Sequence, residues 1–130
     1  MKKIIRITRH PIEDGRERVL RKFFGDDVSI IDDDTPYGGN PVETVVNLIK
    51  KHGGNVVAIE LVAPITVLAR LTKAKRELGH IIFLRAEFKR EGGGRPLVCG
   101  QDIHGRDIFE FDHYDIIKDV VTISEPLNFN

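Results

Sequence analysis

The feature that most constrains this chain is an alternation. Short runs rich in Ile and Val are separated by longer stretches whose apolar residues recur at helical spacing. Residues 3–8 (KIIRIT) read as a short buried strand. Residues 12–24 place Ile12, Val19, Leu20, Phe23 and Phe24 on one stripe, with Arg18, Arg21 and Lys22 turned away, and Gly25 is placed to end the helix. Residues 27–31 (DVSII) read as a second strand running into Asp32, Asp33 and Asp34. Asn40 as N-cap, Pro41 at the first helical position and Glu43 at the third open a second helix, with Val42, Val45, Val46 and Ile49 inward. Gly53 and Gly54 stop it, and residues 55–60 (NVVAIE) form a third strand. Pro64 opens a third helix on Val67, Leu68, Leu71, Ala74 and Leu78, which ends at Gly79, and residues 80–89 form a fourth strand.

Strands that alternate with helices pair in parallel through right-handed crossovers. The expected fold class is therefore α/β, a Rossmann-like three-layer domain with a mostly parallel sheet. The last third changes style. Gly92-Gly93-Gly94 and Pro96 mark a turn, and residues 97–100, 107–112 and 119–124 read as short strands, with a helix as the alternative for 113–119. The expectation is one domain over 1–130: a parallel α/β part (1–90) and an antiparallel strand extension on one sheet edge (91–130) that could serve as a dimerisation arm.

Twenty Lys and Arg balance twenty Asp and Glu, so net charge gives no argument for long nucleic acid. The balance is not local. Residues 1–25 and 61–96 each carry eight positive and three negative charges, whereas 26–34 carry five Asp and 97–130 carry seven negative against two positive. Such blocks either build opposed basic and acidic faces or neutralise one another across the fold. The single cysteine excludes an internal disulfide framework and suits a reducing compartment. No apolar run approaches a membrane span, and Arg6 and Arg9 break the opening MKKIIRITRH too early for a signal peptide, so the expected location is cytoplasmic, with no membrane partner.

In an open parallel sheet, ligands gather at the carboxyl ends of the strands. Thr8, Arg9 and His10 follow strand one; Asp32, Asp34 and Thr35 follow strand two, then Gly38, Gly39 and Asn40 at a helix start; Glu60 follows strand three, and Arg85 and Glu87 strand four. Arg9 and His10 are the candidate catalytic pair, a bidentate phosphate partner beside a group that exchanges protons near neutral pH. Thr8, Asp32, Asp34, Thr35, Gly38, Gly39, Asn40 and Glu60 are candidate ligand-binding residues. The plainer reading makes the glycines a turn feeding a capped helix and the aspartates an acidic loop. A P-loop, a G-x-G-x-x-G turn and a G-x-S-x-G elbow are all absent. His80, His104 and His113 lack metal-ligand spacing, so neither metal nor cofactor is expected.

Two families enter at Thr8-Arg9-His10-Pro11. The histidine phosphatases have Arg-His-Gly after the first strand, with Pro11 here in place of the glycine; that resemblance implies a phosphomonoesterase using His10 as nucleophile. The chain more closely resembles the small CRISPR-associated proteins with a Rossmann-like CARF-type domain, through Arg9-His10-Pro11 and the path from Val56-Val57-Ala58-Ile59-Glu60 to Pro64. That resemblance implies a homodimer binding a cyclic oligoadenylate, or another phosphorylated small molecule, across a two-fold cleft. Some such proteins are ring nucleases that cleave by attack of a ribose 2′-hydroxyl. A sensor or scaffold without turnover is the non-enzymatic alternative.

Overall fold

A computed structural model describes residues 1–8, 12, 14–36 and 38–118. The elements are β1 (Lys3–Ile7), α1 (Asp14–Phe24), β2 (Ser29–Asp33), α2 (Pro41–Lys51), β3 (Val56–Glu60), α3 (Ile65–Lys73), β4 (Ile82–Phe88), β5 (Val98–Gln101), β6 (Asp107–Phe109) and β7 (Phe111–Ile117). Five strands form a mixed sheet in the order β2-β1-β3-β4-β7. The first four run parallel, and β7 returns antiparallel on β4. The fold is thus α/β with a mostly parallel sheet. No helix of the described residues is long and apolar enough to cross a membrane.

Side chains alternate across the sheet, so neighbouring residues of one strand serve different cores. Ile5, Ile59 and Phe83 pack with Val45 and Leu48 of α2 and Leu68 and Leu71 of α3. Ile4, Ala58 and Leu84 pack on the other side with Leu20 of α1 and with Val28. The second helix begins as the sequence predicts: Asn40 Oδ1 accepts from the Glu43 N–H at 3.1 Å, with Pro41 at the start.

Three expectations need correction. The α3 helix stops at Lys73, short of Leu78, because the Ala74 N–H bonds Leu71 three residues back. The chain then continues in turns to Gly79 and still delivers Leu78 to the core. Residues 111–117 are strand, which removes the helical alternative for 113–119 over the described positions. The cause is a bulge: Glu87 pairs with His113 and Phe88 with Phe111, so Asp112 is an extra residue. It puts Phe111 and Tyr114 on one face of the sheet despite a helix-like spacing of three. Finally, Arg85 and Glu87 lie within β4, paired with β7, instead of following the strand. The expected edge extension is realised by β7, whereas β5 and β6 form a separate hairpin. The expected strand at 119–124 lies outside the described residues.

Truncating Phe83, which is 1% exposed, is expected to cost about 3–5 kcal/mol of stability. Phe23→Ala, at a residue 65% exposed, should cost about 0.5 kcal/mol or less. Urea unfolding of the two variants checks the contrast.

Candidate functional site

The order β2-β1-β3 means that the chain leaves β1 toward one side and returns to the other. In open α/β sheets the crevice outside the carboxyl ends of two such strands is where ligands bind. Here the strand order puts that switch point where β1 passes into Thr8 and β3 ends at Glu60. Arg9 and His10 come next after Thr8 in the sequence, but they lie outside the described residues.

Beneath those strand ends, on the α1 side, is a buried ionic network. Arg6 is fully buried: its Nη1 donates to Asp32 Oδ1 at 2.8 Å and its Nε to Glu60 Oε1 at 3.2 Å. Glu60, 3% exposed, also accepts from Arg16 Nη2 of α1 and from the Tyr114 hydroxyl of β7. Arg16 Nε lies 3.3 Å from the same hydroxyl, and its guanidinium carbon stands 5.6–5.8 Å from the ring centres of Phe88, Phe111 and Tyr114. Burial first, and then the adjacent Glu60 carboxylate, push the Tyr114 phenol far up, so it stays protonated and donates. Two guanidiniums and two carboxylates leave the cluster neutral, which makes its burial tolerable.

A second polar centre lies across the sheet. Asp33 accepts from the Thr35 N–H at 2.9 Å, from the Thr35 hydroxyl and from Lys51 Nζ at 3.0 Å, and His52 Nε2 stands 2.9 Å away. Burial alone would raise the Asp33 carboxyl, but the hydrogen bonds from Thr35, His52 and Lys51 together hold it well below the usual carboxylate range.

The predicted ligand residues therefore divide. The Thr8 N–H donates to the Asp33 carbonyl at 3.1 Å, tying the end of β1 to that of β2. Glu60 is the centre of the buried network, an internal anchor and not an open rim group, whereas Asp32, its side chain 38% exposed, closes the network from the solvent side. Thr35 is committed to Asp33, and the Asn40 side chain caps α2. Asp34, Gly38 and Gly39 are exposed, and Gly38 has a φ of +64° that favours glycine. Arg6, Arg16, Tyr114, Lys51 and His52 were not among the candidates. An arginine between Ile5 and Ile7 in a buried strand does signal a carboxylate on the flanking strands. Tyr114 gives no such signal, because its place depends on the bulge in β7.

Comparison with protein-family models, curated proteins and solved structures gave no match to the chain.

Replacing Glu60 by Ala would leave two buried guanidiniums facing each other, and a loss of about 3–5 kcal/mol is expected in urea unfolding. Asp33 sets a pH dependence. Its folded pKa lies below the unfolded value, so its contribution is complete above about pH 5 and fades as the pH falls below about 4. Asp33→Asn should flatten the acid limb of a stability-against-pH curve, measured as urea midpoints.

Proposed function

We propose that the chain is a Rossmann-like three-layer domain that binds a phosphate-bearing nucleotide ligand, a cyclic oligoadenylate, at the carboxyl edge of its sheet. In this reading a second copy completes the cleft, and the protein cleaves the ring in the manner of a ring nuclease. The observation that supports the reading is the strand order: the switch point falls between β1 and β3, and β1 is followed in sequence by Thr8-Arg9-His10. The packing of α1 against one face and of α2 and α3 against the other supports the three-layer form. Val62, 77% exposed just past β3, offers apolar surface for a base beside those strand ends.

Such cleavage asks little of the protein beyond placement and charge. A ribose 2′-oxygen attacks the adjacent phosphorus in line, the bond from phosphorus to the 5′-oxygen breaks, and a 2′,3′-cyclic phosphate remains. In this scheme Arg9 stabilises the charge gathering on the phosphate. His10 takes the 2′-hydroxyl proton or delivers one to the departing 5′-oxygen.

The test is incubation with cyclic and linear oligoadenylates, followed by chromatography of the products. Arg9→Ala should lose at least about tenfold in affinity or rate, as expected for a lost charge-assisted contact. Ligand bound stoichiometrically and recovered intact would instead identify a sensor. A phosphorylated His10, trapped with a phosphomonoester, would identify a phosphatase. Binding and turnover unchanged in both Arg9→Ala and His10→Ala would remove the site.

A further inference from the structure

Strand β7 carries a contact that a regular strand could not make. Neighbouring residues of a strand point to opposite faces, so their side chains do not meet. Asp112 and His113 are neighbours, yet His113 Nδ1 stands 2.8 Å from Asp112 Oδ2. The bulge is the reason. Glu87 pairs with His113 and Phe88 with Phe111, which leaves Asp112 without a partner on β4 and brings its side chain beside His113. The other ring nitrogen, His113 Nε2, stands 3.1 Å from Oδ1 of Asp115, two residues on and on the same face of the strand.

A ring held in this way is satisfied in one protonation state. A neutral imidazole donates from one nitrogen and accepts at the other, whereas a carboxylate only accepts. Between two carboxylates the neutral ring would turn a lone pair toward an oxygen; the imidazolium donates to both. The groups facing it from β4 are largely engaged elsewhere. Glu87 is the register partner of His113 and Arg85 that of Asp115, and Arg85 Nε donates to Glu87 Oε1 at 2.8 Å. Lys89, bound to Glu110 at 3.0 Å, lies within electrostatic reach of Asp112. The hydrogen bond to Asp112 first, and then the Asp115 carboxylate, outweigh the slight desolvation of the ring and raise the His113 pKa.

We propose that Asp112, His113 and Asp115 form a proton-dependent staple that holds the β7 bulge. The Asp112 contact exists only in the bulged strand, so whatever strengthens it stabilises the bulge by the same amount. The folded pKa of His113 lies above its unfolded value of about 6.5, so the staple is present below that value and is lost as the pH rises through the folded one. Below about pH 4 the carboxylates take up protons and the staple is lost again. The three side chains are 43–53% exposed, so solvent screens the contacts and the effect is read at the bulge, not in global stability. What the staple governs lies on the opposite face. The bulge puts Phe111 and Tyr114 together there, beside the Arg16 guanidinium, and Tyr114 donates to Glu60. A regular strand would send those two rings to opposite faces. The C-terminal strand is thus tied to the buried network through a group that titrates near neutrality. This device stands apart from the ligand reading, and its test uses no ligand.

The ring shifts of His113, followed by NMR on the full chain between about pH 5 and 9, should give a midpoint above that of the same residue in urea. Asp112→Asn and Asp115→Asn, which keep an acceptor and remove the charge, should each lower it. Amide protection factors of residues 111–117, corrected for the intrinsic pH dependence of exchange, should fall at least about twofold through the same midpoint. That fall should move with the midpoint in both aspartate variants. His113→Gln should remove the pH step and leave the circular dichroism unchanged. An imidazole that titrates at or below its unfolded value overturns the proposal, as does a midpoint that neither aspartate variant lowers. So does a raised midpoint with no change in protection, since the bulge then does not feel the contact, and so does a step that survives His113→Gln.

Discussion

One buried carboxylate organises the polar half of this molecule. Glu60, the last residue of β3, accepts hydrogen bonds from β1, α1 and β7 at once. Isolated, neither that carboxylate nor the two guanidiniums beside it could be buried at tolerable cost. Together with Asp32 they neutralise one another. A hydrocarbon cluster of the same volume would stabilise the fold as well or better, so what the network adds is arrangement. Arg6 is register partner to Asp32 on one side and to Glu60 on the other. A slip of one residue against β3 would turn Glu60 to the opposite face, and one against β2 would either do the same to Asp32 or exchange it for Asp33, which is already held by Thr35, Lys51 and His52. The network therefore fixes β1 between β2 and β3 and sets its level against both.

That level is the end of the sheet where Thr8 leads toward Arg9 and His10. Under the proposed function Arg9 and His10 would need a fixed floor, and a neutral, cross-linked cluster one residue pair below the strand ends would supply one. The far side of the sheet is built differently. There the core is hydrocarbon from α2 and α3, and its polar feature, Asp33, closes the end of β2 with bonds from Thr35, Lys51 and His52. The charge blocks of the sequence accordingly meet inside the fold as well as on its surface. Arg6, from the basic opening block, pairs with Asp32 of the acidic block that follows, and Arg21 donates to the carbonyls of Asp26 and Val28.

The parallel part of the fold was legible because its signals are local. Ile and Val runs, the Asn40-Pro41-Glu43 start and the glycine stops each act within a few residues, and four parallel strands and three helices occur in the expected order, with α3 ending early and β2 displaced toward Asp33. The misses came where distant partners decide. Strand β2 extends to Asp33 because Arg6, Lys51 and His52 give its aspartates partners. The 113–119 segment admitted a helix as the alternative, but β7 pairs along β4 with a bulge opposite Glu87, and Tyr114 lies in the sheet. For the candidate site, sequence position pointed to one end of the sheet. It did not separate rim groups from buried anchors, because Glu60 is removed from the rim by arginines 44 and 54 residues away in the chain.

The C-terminal part is not an appendage to this arrangement. From the hairpin, Phe109 meets Phe88 at 6.2 Å; Phe88 meets Phe111 at 6.5 Å, and Phe111 meets Tyr114 at 5.0 Å. The last three rings surround the Arg16 guanidinium, and Tyr114 donates to Glu60. Each contact is small, roughly 0.5–1.5 kcal/mol for an aromatic pair and up to about 2 for a desolvated cation over a ring. In series they leave no soft joint between the hairpin and the carboxylate.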